Sequence, residues 1–275
     1  MCGFMMVKLS VLQDYMYPIL VEFDRICRKY DIKYSIEGGT LMGAVKFRNF
    51  VPWDDDIDVI MVRDQYEKFL QVAPTELGSE FFLASYNNID RFPYNFAKLY
   101  LDITKISGFP YADMPKMKHR IFMDIFPVDN VIPEKLNYYC SMVGILTGAR
   151  RVKLRKKIKV KSISQLLYKL LSLLPMKTLI TLVDRVCRKY NEKETGYIYE
   201  ISNPNRKFSP TPSSMYMEYT ELQFRDKKFM AIKDYDEFLK SRFGENYSNE
   251  FPDKDKRKAS HNLDVEVVFD VKYDM

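Results

Sequence analysis

The segment from Tyr34 to Met61, YSIEGGTLMGAVKFRNFVPWDDDIDVIM, constrains this chain more than any other part. It holds two adjacent glycines, the single tryptophan and four aspartates, and apolar residues alternate with the last of these acids. In an extended strand, Asp56 and Asp58 would share one face while Ile57 and Val59 share the other. Two carboxylates about 5 Å apart repel each other by about 3 kcal/mol at an effective dielectric constant of about 20. Because the apolar neighbours favour partial burial, we expect the acids to bind a divalent metal or a cationic substrate, and a solvated acidic turn is the alternative.

Alternating aspartates also occur in EF-hand calcium loops, but the pattern fails here at two positions. Val59 stands where such a loop needs glycine, and Gln65 stands where it needs a bidentate glutamate. The acids therefore predict a metal site at the end of a strand.

The glycine pair precedes a helical pattern. Gly38 and Gly39 follow a short alternating apolar run, and Thr40 is available as a cap for the helix that begins there. Glycines at such a junction let backbone amides approach a phosphate closely. Taken alone, the pair more often marks an ordinary turn.

Two further charged residues stand inside apolar runs. A lysine is rarely buried without a partner, so Lys98 in FAKLY either extends outward or faces an anion. Asp124 in HRIFMDIFPVDN has five apolar neighbours, and burying it unpaired would cost several kcal/mol. We therefore expect Asp124 to meet the metal or a cation, whereas Asp129 is predicted to be a turn or cap residue.

Composition sets broader limits. The chain has 275 residues, of which 47% are hydrophobic and 29% charged, as in an ordinary globular protein with a sizeable core. Its four cysteines form no CxxC pair and only two histidines accompany them, so we expect no structural zinc site. The first residues lack the pattern of a signal peptide, which predicts a cytoplasmic protein.

The middle of the chain is strongly basic. From Lys135 to Val183 there is no Asp or Glu, and residues 150–161 are basic at eight of twelve positions. A basic stretch beside an amphipathic helix suits an anionic membrane surface, which would place the protein peripherally on the inner face of the membrane. A basic patch can also bind nucleic acid, although no recognition motif accompanies it. The third interpretation is a helical subdomain whose apolar face is packed.

Hydrophobic periodicity predicts the remaining elements. The predicted helices are Leu9–Tyr30, kinked or divided at Pro18, and Arg63–Val72, ending before Pro74; the predicted strands lie near Phe81–Ser85, Asn95–Leu101 and 119–130.

Taken together, a Gly-Gly turn opening a helix, two aspartates at i and i+2 and a later third carboxylate resemble a nucleotidyltransferase active site. The stretch GGTLMGAVKFRNFVPWDDDIDV resembles the LicD family, the phosphocholine transferases of bacterial surface glycans, to which the fukutin proteins are related. The strand HRIFMDIFPVD and the C-terminal YDEFL and FGENY segments resemble the same family. Lys46, Phe47, Asn49 and Arg120 depart from its usual residues, which leaves the donor and acceptor specificity open.

The resemblance implies an α+β fold with a nucleotidyltransferase-like mixed sheet flanked by helices, and the composition adds a basic helical insert. We expect residues 1–134 to form a catalytic core, 135–195 to form the insert and 196–275 to complete the core.

The implied reaction moves a phospho-alcohol, phosphocholine first among them, from a CDP-linked donor to a hydroxyl of lipopolysaccharide, teichoic acid or capsule. Asp56, Asp58 and Asp124 would hold Mg²⁺ or Mn²⁺ and act in catalysis. The residues expected near the donor are Gly38, Gly39, Thr40, Arg48, Lys98, Arg257 and His261. The expected partners are CDP-choline and a lipid-linked glycan, with no nucleic acid.

Two other functions compete with this reaction. The same three carboxylates serve a nucleotidyltransferase that uses an NTP. A protein that binds glycans at a membrane surface and has an inactive site is the interpretation from a different class.

Overall fold

The structure is a computed structural model, and it describes residues 9–89, 92–102, 120–154, 162–203 and 208–247. The helices in these ranges are α1 Leu9–Lys29, α2 Gly38–Phe47, α3 Arg63–Glu76, α4 Leu136–Leu154, α5 Ile163–Leu171, α6 Met176–Cys187 and α7 Tyr235–Phe243. The strands are β1 Ser35–Ile36, β2 Asp58–Val62, β3 Phe81–Ala84, β4 Ala97–Leu101, β5 Ile121–Asn130, β6 Tyr197–Tyr199, β7 Thr211–Pro212, β8 Tyr219–Phe224 and β9 Lys227–Ile232.

A mixed sheet forms the centre of the fold. Its order is β1-β2-β5-β4-β3, with β6 added beside β5 and β7 beside β6. Strands β2 and β5 are parallel, and the other pairs in the sheet are antiparallel. β8 and β9 make a separate antiparallel pair. The predicted α+β class is therefore confirmed.

Strand β5 is central because both of its faces are covered. Nine of its ten residues are buried, which fits its nearly continuous apolar sequence. Helices α1 and α3 pack against it. The main apolar core unites these elements with residues of β8, β9 and α7.

Two prolines lie inside helices rather than at their ends. Helix α1 runs unbroken through Pro18, so the predicted division into two helices does not occur. Helix α3 continues through Pro74 to Glu76, so the predicted end before Pro74 is wrong. A proline inside a helix costs about 3 kcal/mol. In α1 the buried apolar face continues on both sides of Pro18, and in α3 it runs up to the residue before Pro74. This packing offsets the cost of the prolines.

Helices of the predicted basic insert form a second apolar cluster together with β6. Val143 of α4 and Leu179 and Val183 of α6 pack together with Tyr199 of β6. Helix α6 buries one face in this way. The predicted division of the chain at residues 134 and 195 stays a prediction.

Among the described helices none is long and apolar enough to cross a bilayer alone. Helices α5 and α6 have the required length and hydropathy only as a pair, and that pair is bent by 114°.

Asp129 forms a buried ion pair with Arg63 and also accepts a hydrogen bond from Asn191 of the predicted insert. It lies within β5 and not in a turn, so the prediction of a turn or cap residue is wrong. Its carboxylate accepts hydrogen bonds from Arg63 Nε at 2.8 Å and Arg63 Nη2 at 2.5 Å. Asn191, beyond α6, donates to the same carboxylate at 2.6 Å. The Asp129 side chain is fully buried, so these three bonds replace the water it loses.

The first prediction concerns this pair. Replacing Asp129→Asn keeps the size of the side chain but leaves the Arg63 charge buried without its partner, so we expect a loss of about 3 to 5 kcal/mol in the free energy of unfolding. Urea unfolding would measure it. The matched control is Glu218→Gln, which breaks an exposed pair with Lys233 and should leave the unfolding midpoint almost unchanged. Equal midpoints for the two variants would contradict the prediction.

Candidate active site

A row of charged side chains crosses three neighbouring strands. Asp58 of β2 lies opposite Asp124 of β5, and Lys98 of β4 lies opposite Asp124 on the other side. Side chains at paired positions point to the same face of a sheet. Lys98 Nζ lies 2.5 Å from Asp124 Oδ1, and both side chains are buried. The structure thus brings together three of the residues predicted for the site.

Lys98 is enclosed by aromatic rings. Its ammonium lies 4.6 Å from the ring centroid of Tyr94, 5.6 Å from that of Phe96 and 3.6 Å from that of Phe122. Burial lowers the pKa of Lys98 from its ordinary value, and the neighbouring carboxylates, Asp124 first, oppose this shift. Of the two expected positions, Lys98 takes the one that faces an anion, and that anion is Asp124.

The Gly-Gly turn borders the acids directly. Gly38 has a φ of +57°, in the left-handed region that favours glycine. A Cβ on Gly38 would lie 3.5 Å from Asp58 Oδ2, whereas one on Gly39 would lie 2.0 Å from Asp54 Oδ2. The missing side chain at Gly39 is therefore what allows the Asp54 carboxylate to approach the start of α2.

Thr40 has a different role from the one predicted. It lies inside α2, whose N-cap is Glu37 and has no side-chain cap, so the prediction that Thr40 caps the helix is wrong. Its hydroxyl instead accepts a hydrogen bond of 3.1 Å from the backbone N–H of Asp58. Since Glu37 N–H also donates to the Asp58 carbonyl at 2.9 Å, the first turn of α2 is fastened to β2.

The acidic cluster extends beyond the predicted set. Strand β2 begins at Asp58, so Asp56 precedes the strand. One carboxylate oxygen from each of Asp54, Asp55 and Asp56 lies within 4.8 Å of the others. Asp54 Oδ2 is buried and has no hydrogen-bond partner among the described residues. The sequence left the roles of Asp54 and Asp55 open, and the structure places both beside the predicted ligand Asp56.

Burial also changes the proton affinity of this cluster. It raises the pKa of Asp54 from 3.8 to about 7, and repulsion by Asp58 and Asp55 adds to the shift, while a hydrogen bond with Asp56 opposes it. A cation at the cluster would lower the pKa of Asp54 and would give its Oδ2 atom a partner. The side-chain atoms that these residues offer to a metal are carboxylate oxygens, which Mg²⁺ and Mn²⁺ prefer. Asp54, Asp55 and Asp56, with Asp58 beside them, therefore fit such an ion.

Residues that the sequence did not indicate hold this loop in place. Gln13 of α1 is buried, and its Nε2 donates to the carbonyls of Val51 at 3.1 Å and Asp54 at 2.9 Å. A glutamine on the apolar face of an amphipathic helix is the only signal that could have identified it.

A second support lies behind the Gly-Gly turn. Arg242 of α7 is buried between the rings of Phe208 and Phe238, and its Nε lies 3.7 Å from Glu37 Oε1. The C-terminal helix thus packs behind the residue that precedes Gly38. The YDEFL segment carries the family resemblance, but the sequence did not indicate this contact.

The described structure does not place three of the residues expected near the nucleotide donor, Arg48, Arg257 and His261, at the acidic cluster. Arg48 is exposed at the C-terminal end of α2, about 15 Å from Gly38 by helix rise. Arg257 and His261 lie outside the described residues.

Comparison with known proteins agrees with this geometry. Residues 31–135 match the family described as LicD/FKTN/FKRP, nucleotidyltransferase domain. That range includes the Gly-Gly turn, the acidic cluster, Lys98 and Asp124. Residues 31–135 therefore resemble the LicD nucleotidyltransferase domain, and the predicted resemblance to this family is confirmed.

Curated relatives extend the LicD match. The lipopolysaccharide cholinephosphotransferase LicD of Haemophilus influenzae is 28% identical over 252 residues, which cover 87% of this chain and 91% of that protein. An uncharacterised protein of Rickettsia typhi is 36% identical over 59 residues, which cover 22% of this chain and 19% of that protein. The first likeness spans the LicD domain, the basic insert and much of the C-terminal part.

The second prediction tests the contact between Gly39 and Asp54 of the LicD domain. A methyl group at Gly39→Ala would displace the Asp54 carboxylate, so we expect binding of Mn²⁺ to weaken by about tenfold or more, as measured by calorimetry. Gly38→Ala should weaken it less, because its Cβ has room and backbone strain costs only about 1 to 2 kcal/mol.

Gly144→Ala is the control for this comparison. Its Cβ in α4 would meet nothing within 4 Å, so it should leave Mn²⁺ binding unchanged and stabilise the helix by about 0.5 to 1 kcal/mol. Equal Mn²⁺ affinities for Gly39→Ala and Gly144→Ala would show that the glycine does not position Asp54.

The third prediction concerns pH in the absence of metal. Because folding raises the pKa of Asp54 to about 7, its contribution to stability is present below about pH 4 and is lost as the pH rises through about 7. Asp54→Asn does not titrate. Relative to this variant, we expect the wild type to lose roughly 4 kcal/mol at most over this range, measured by urea unfolding in chelator.

The control is Asp64→Asn, which changes an exposed carboxylate in the first turn of α3. It should keep the wild-type slope of stability between about pH 5 and pH 8, because its side chain lies in solvent away from the acidic cluster. A wild type and an Asp54→Asn variant with parallel profiles would contradict the assignment of the slope to Asp54.

Proposed function

We propose that this chain transfers phosphocholine from CDP-choline to a hydroxyl of a lipid-linked cell-surface glycan, with Mg²⁺ or Mn²⁺ as cofactor. The observation that carries the proposal is the crowded carboxylate cluster against the Gly-Gly turn of a LicD-family domain. The likeness over 87% of the chain to a lipopolysaccharide cholinephosphotransferase supports phosphocholine as the transferred group and lipopolysaccharide as the acceptor class.

The carboxylates and the start of α2 would share the donor. Asp54, Asp55 and Asp56, together with Asp58 and Asp124, would hold the metal, which when bound supplies positive charge against the pyrophosphate. Backbone amides of Gly38 and Gly39 lie at the N-terminal end of α2, where phosphate oxygens are stabilised by unpaired N–H groups and the helix dipole. These residues would orient the phosphorus for attack.

The proposed transfer is a single displacement at the choline-bearing phosphorus. The bond from the acceptor oxygen to phosphorus forms as the bond to the CMP oxygen breaks, and CMP leaves with that electron pair. A carboxylate of the cluster accepts the proton of the attacking hydroxyl. Lys98 holds Asp124 through the buried ion pair, so we assign it a positioning role within the site rather than contact with the donor.

Nucleotidyl transfer is the second candidate. The family description names a nucleotidyltransferase domain, and the same carboxylates would support attack at the α-phosphorus of an NTP. The released product separates the two reactions, because phosphocholine transfer releases CMP and nucleotidyl transfer releases pyrophosphate.

The fourth prediction is the decisive binding test. Calorimetry with CDP-choline, CDP-ribitol, CDP-glycerol and CTP, each with and without Mg²⁺, should show Mg²⁺-dependent binding of CDP-choline. Asp58→Asn should weaken this binding by about a hundredfold or more, since it removes a carboxylate from beside the turn. Asp64→Asn, with the same change on an exposed part of α3, should bind like the wild type.

Other outcomes would redirect the assignment. Preference for another CDP-alcohol would keep the reaction and change the donor. Tight binding of CTP with indifference to every CDP-alcohol would support nucleotidyl transfer. No binding of any nucleotide would favour the glycan-binding alternative with an inactive site.

A further inference from the structure

Helix α5 exposes a continuous apolar face. None of its nine residues, all of which the structure describes, is buried. Ile163, Leu166, Leu167 and Leu170 are 89%, 49%, 40% and 57% exposed, and Leu173 just beyond the helix is 79% exposed. Their spacing of three and four residues puts them on one side of a helix. Single exposed apolar residues are common, but five on one short helical face are not.

The opposite face of α5 fixes this orientation. The ring of Tyr168 packs against Gly148 of α4 so closely that a Cβ there would come within 2.9 Å of it. Lys153 Nζ, also on α4, donates to the Ser172 carbonyl at 2.9 Å and so fastens the end of α5. Leu171 packs against the apolar cluster of the insert. The apolar face therefore points into solvent because the opposite face of α5 packs against α4.

The charge around this face selects its partner. The sequence from Lys135 to Val183 contains no acidic residue, and Lys169 of α5 and Lys177 at the start of α6 are both exposed. A second copy would bring an equally basic face against this one and be repelled. A bilayer with anionic lipids instead accepts the leucines among its acyl chains and the lysines at its headgroups.

The length of the face favours a helix lying in the membrane plane. From Ile163 to Leu173 the rise is about 15 Å, roughly half of the hydrocarbon thickness of a bilayer.

We propose that the face formed by Ile163, Leu166, Leu167, Leu170 and Leu173 is a peripheral docking surface for an anionic lipid bilayer. Docking there would hold the active site near an acceptor that is itself anchored in the membrane. This consequence rests on the proposed function, whereas lipid binding by α5 does not.

The fifth prediction tests the surface with the full-length protein. Sedimentation with vesicles of phosphatidylglycerol and phosphatidylcholine should carry down the wild type, and vesicles of phosphatidylcholine alone should carry down much less. The double variant Leu166→Glu with Leu170→Glu should lose at least tenfold in binding, since both residues are exposed and their replacement leaves the core intact. Lys169→Gln and Lys177→Gln, which each remove one positive charge, should each weaken binding about fivefold at low salt.

Met217→Glu is the matched control. Met217 is 79% exposed on another part of the molecule, so the same kind of change there should leave vesicle binding unchanged. Unfolding midpoints equal to that of the wild type would show that all these variants fold.

Several results would overturn the proposal. Wild type and double variant could bind vesicles equally, or bind both vesicle types equally. Light scattering could show a dimer that the double variant loses, which would assign the face to a second copy. Release from vesicles by detergent but not by high salt would indicate inserted helices. Calorimetry with CDP-choline on the double variant keeps the two proposals apart, because a failure of docking leaves donor binding as it was.

Discussion

The repulsion among closely placed carboxylates is the constraint on which the rest of this site depends. Parallel pairing of β2 with β5 puts Asp58 opposite Asp124, and the loop before β2 adds Asp54 and its neighbours. In the described structure this negative charge is partly balanced by the buried ammonium of Lys98 and by the positive end of the α2 helix dipole. One lysine cannot balance the whole cluster, and the pKa of Asp54 is raised first by burial and then by repulsion from Asp58 and Asp55. The fold therefore builds a place for a further cation rather than a neutral core.

Much of this arrangement is readable from local patterns. Alternation along β5 predicted that Asp124 would be buried, and the apolar run around Lys98 predicted that its ammonium would either extend outward or face an anion. That the two meet each other could not be derived, because it depends on the register between β4 and β5. The position of Asp54 was harder to predict. Its carboxylate lies against Gly39 because the loop before β2 folds back toward α2 and Gln13 donates to the Asp54 carbonyl. Hydrophobic periodicity contains no information about such a loop.

The failed predictions share one physical cause. Pro74, Thr40 and Asp129 carry local preferences for a helix end, a helix cap and a turn. In each case a contact from a distant part of the chain decides the outcome: a buried helical face, the backbone of β2, or the guanidinium of Arg63. Local preferences amount to about 1 to 3 kcal/mol each, and tertiary contacts of this kind match or exceed them.

The basic insert shows why composition alone left its role undecided. Arg150 belongs to the most basic stretch of the chain, yet it is fully buried, with its guanidinium donating to Asn95 and to backbone carbonyls. Burial lowers its pKa to about 10. The apolar run that follows divides in the same way, because α6 buries Leu179 and Val183 whereas α5 leaves its leucines in solvent. Residues of one type thus serve both packing and an outward face, and the contacts of α5 with α4, through Tyr168 and Ser172, determine which leucines remain outside.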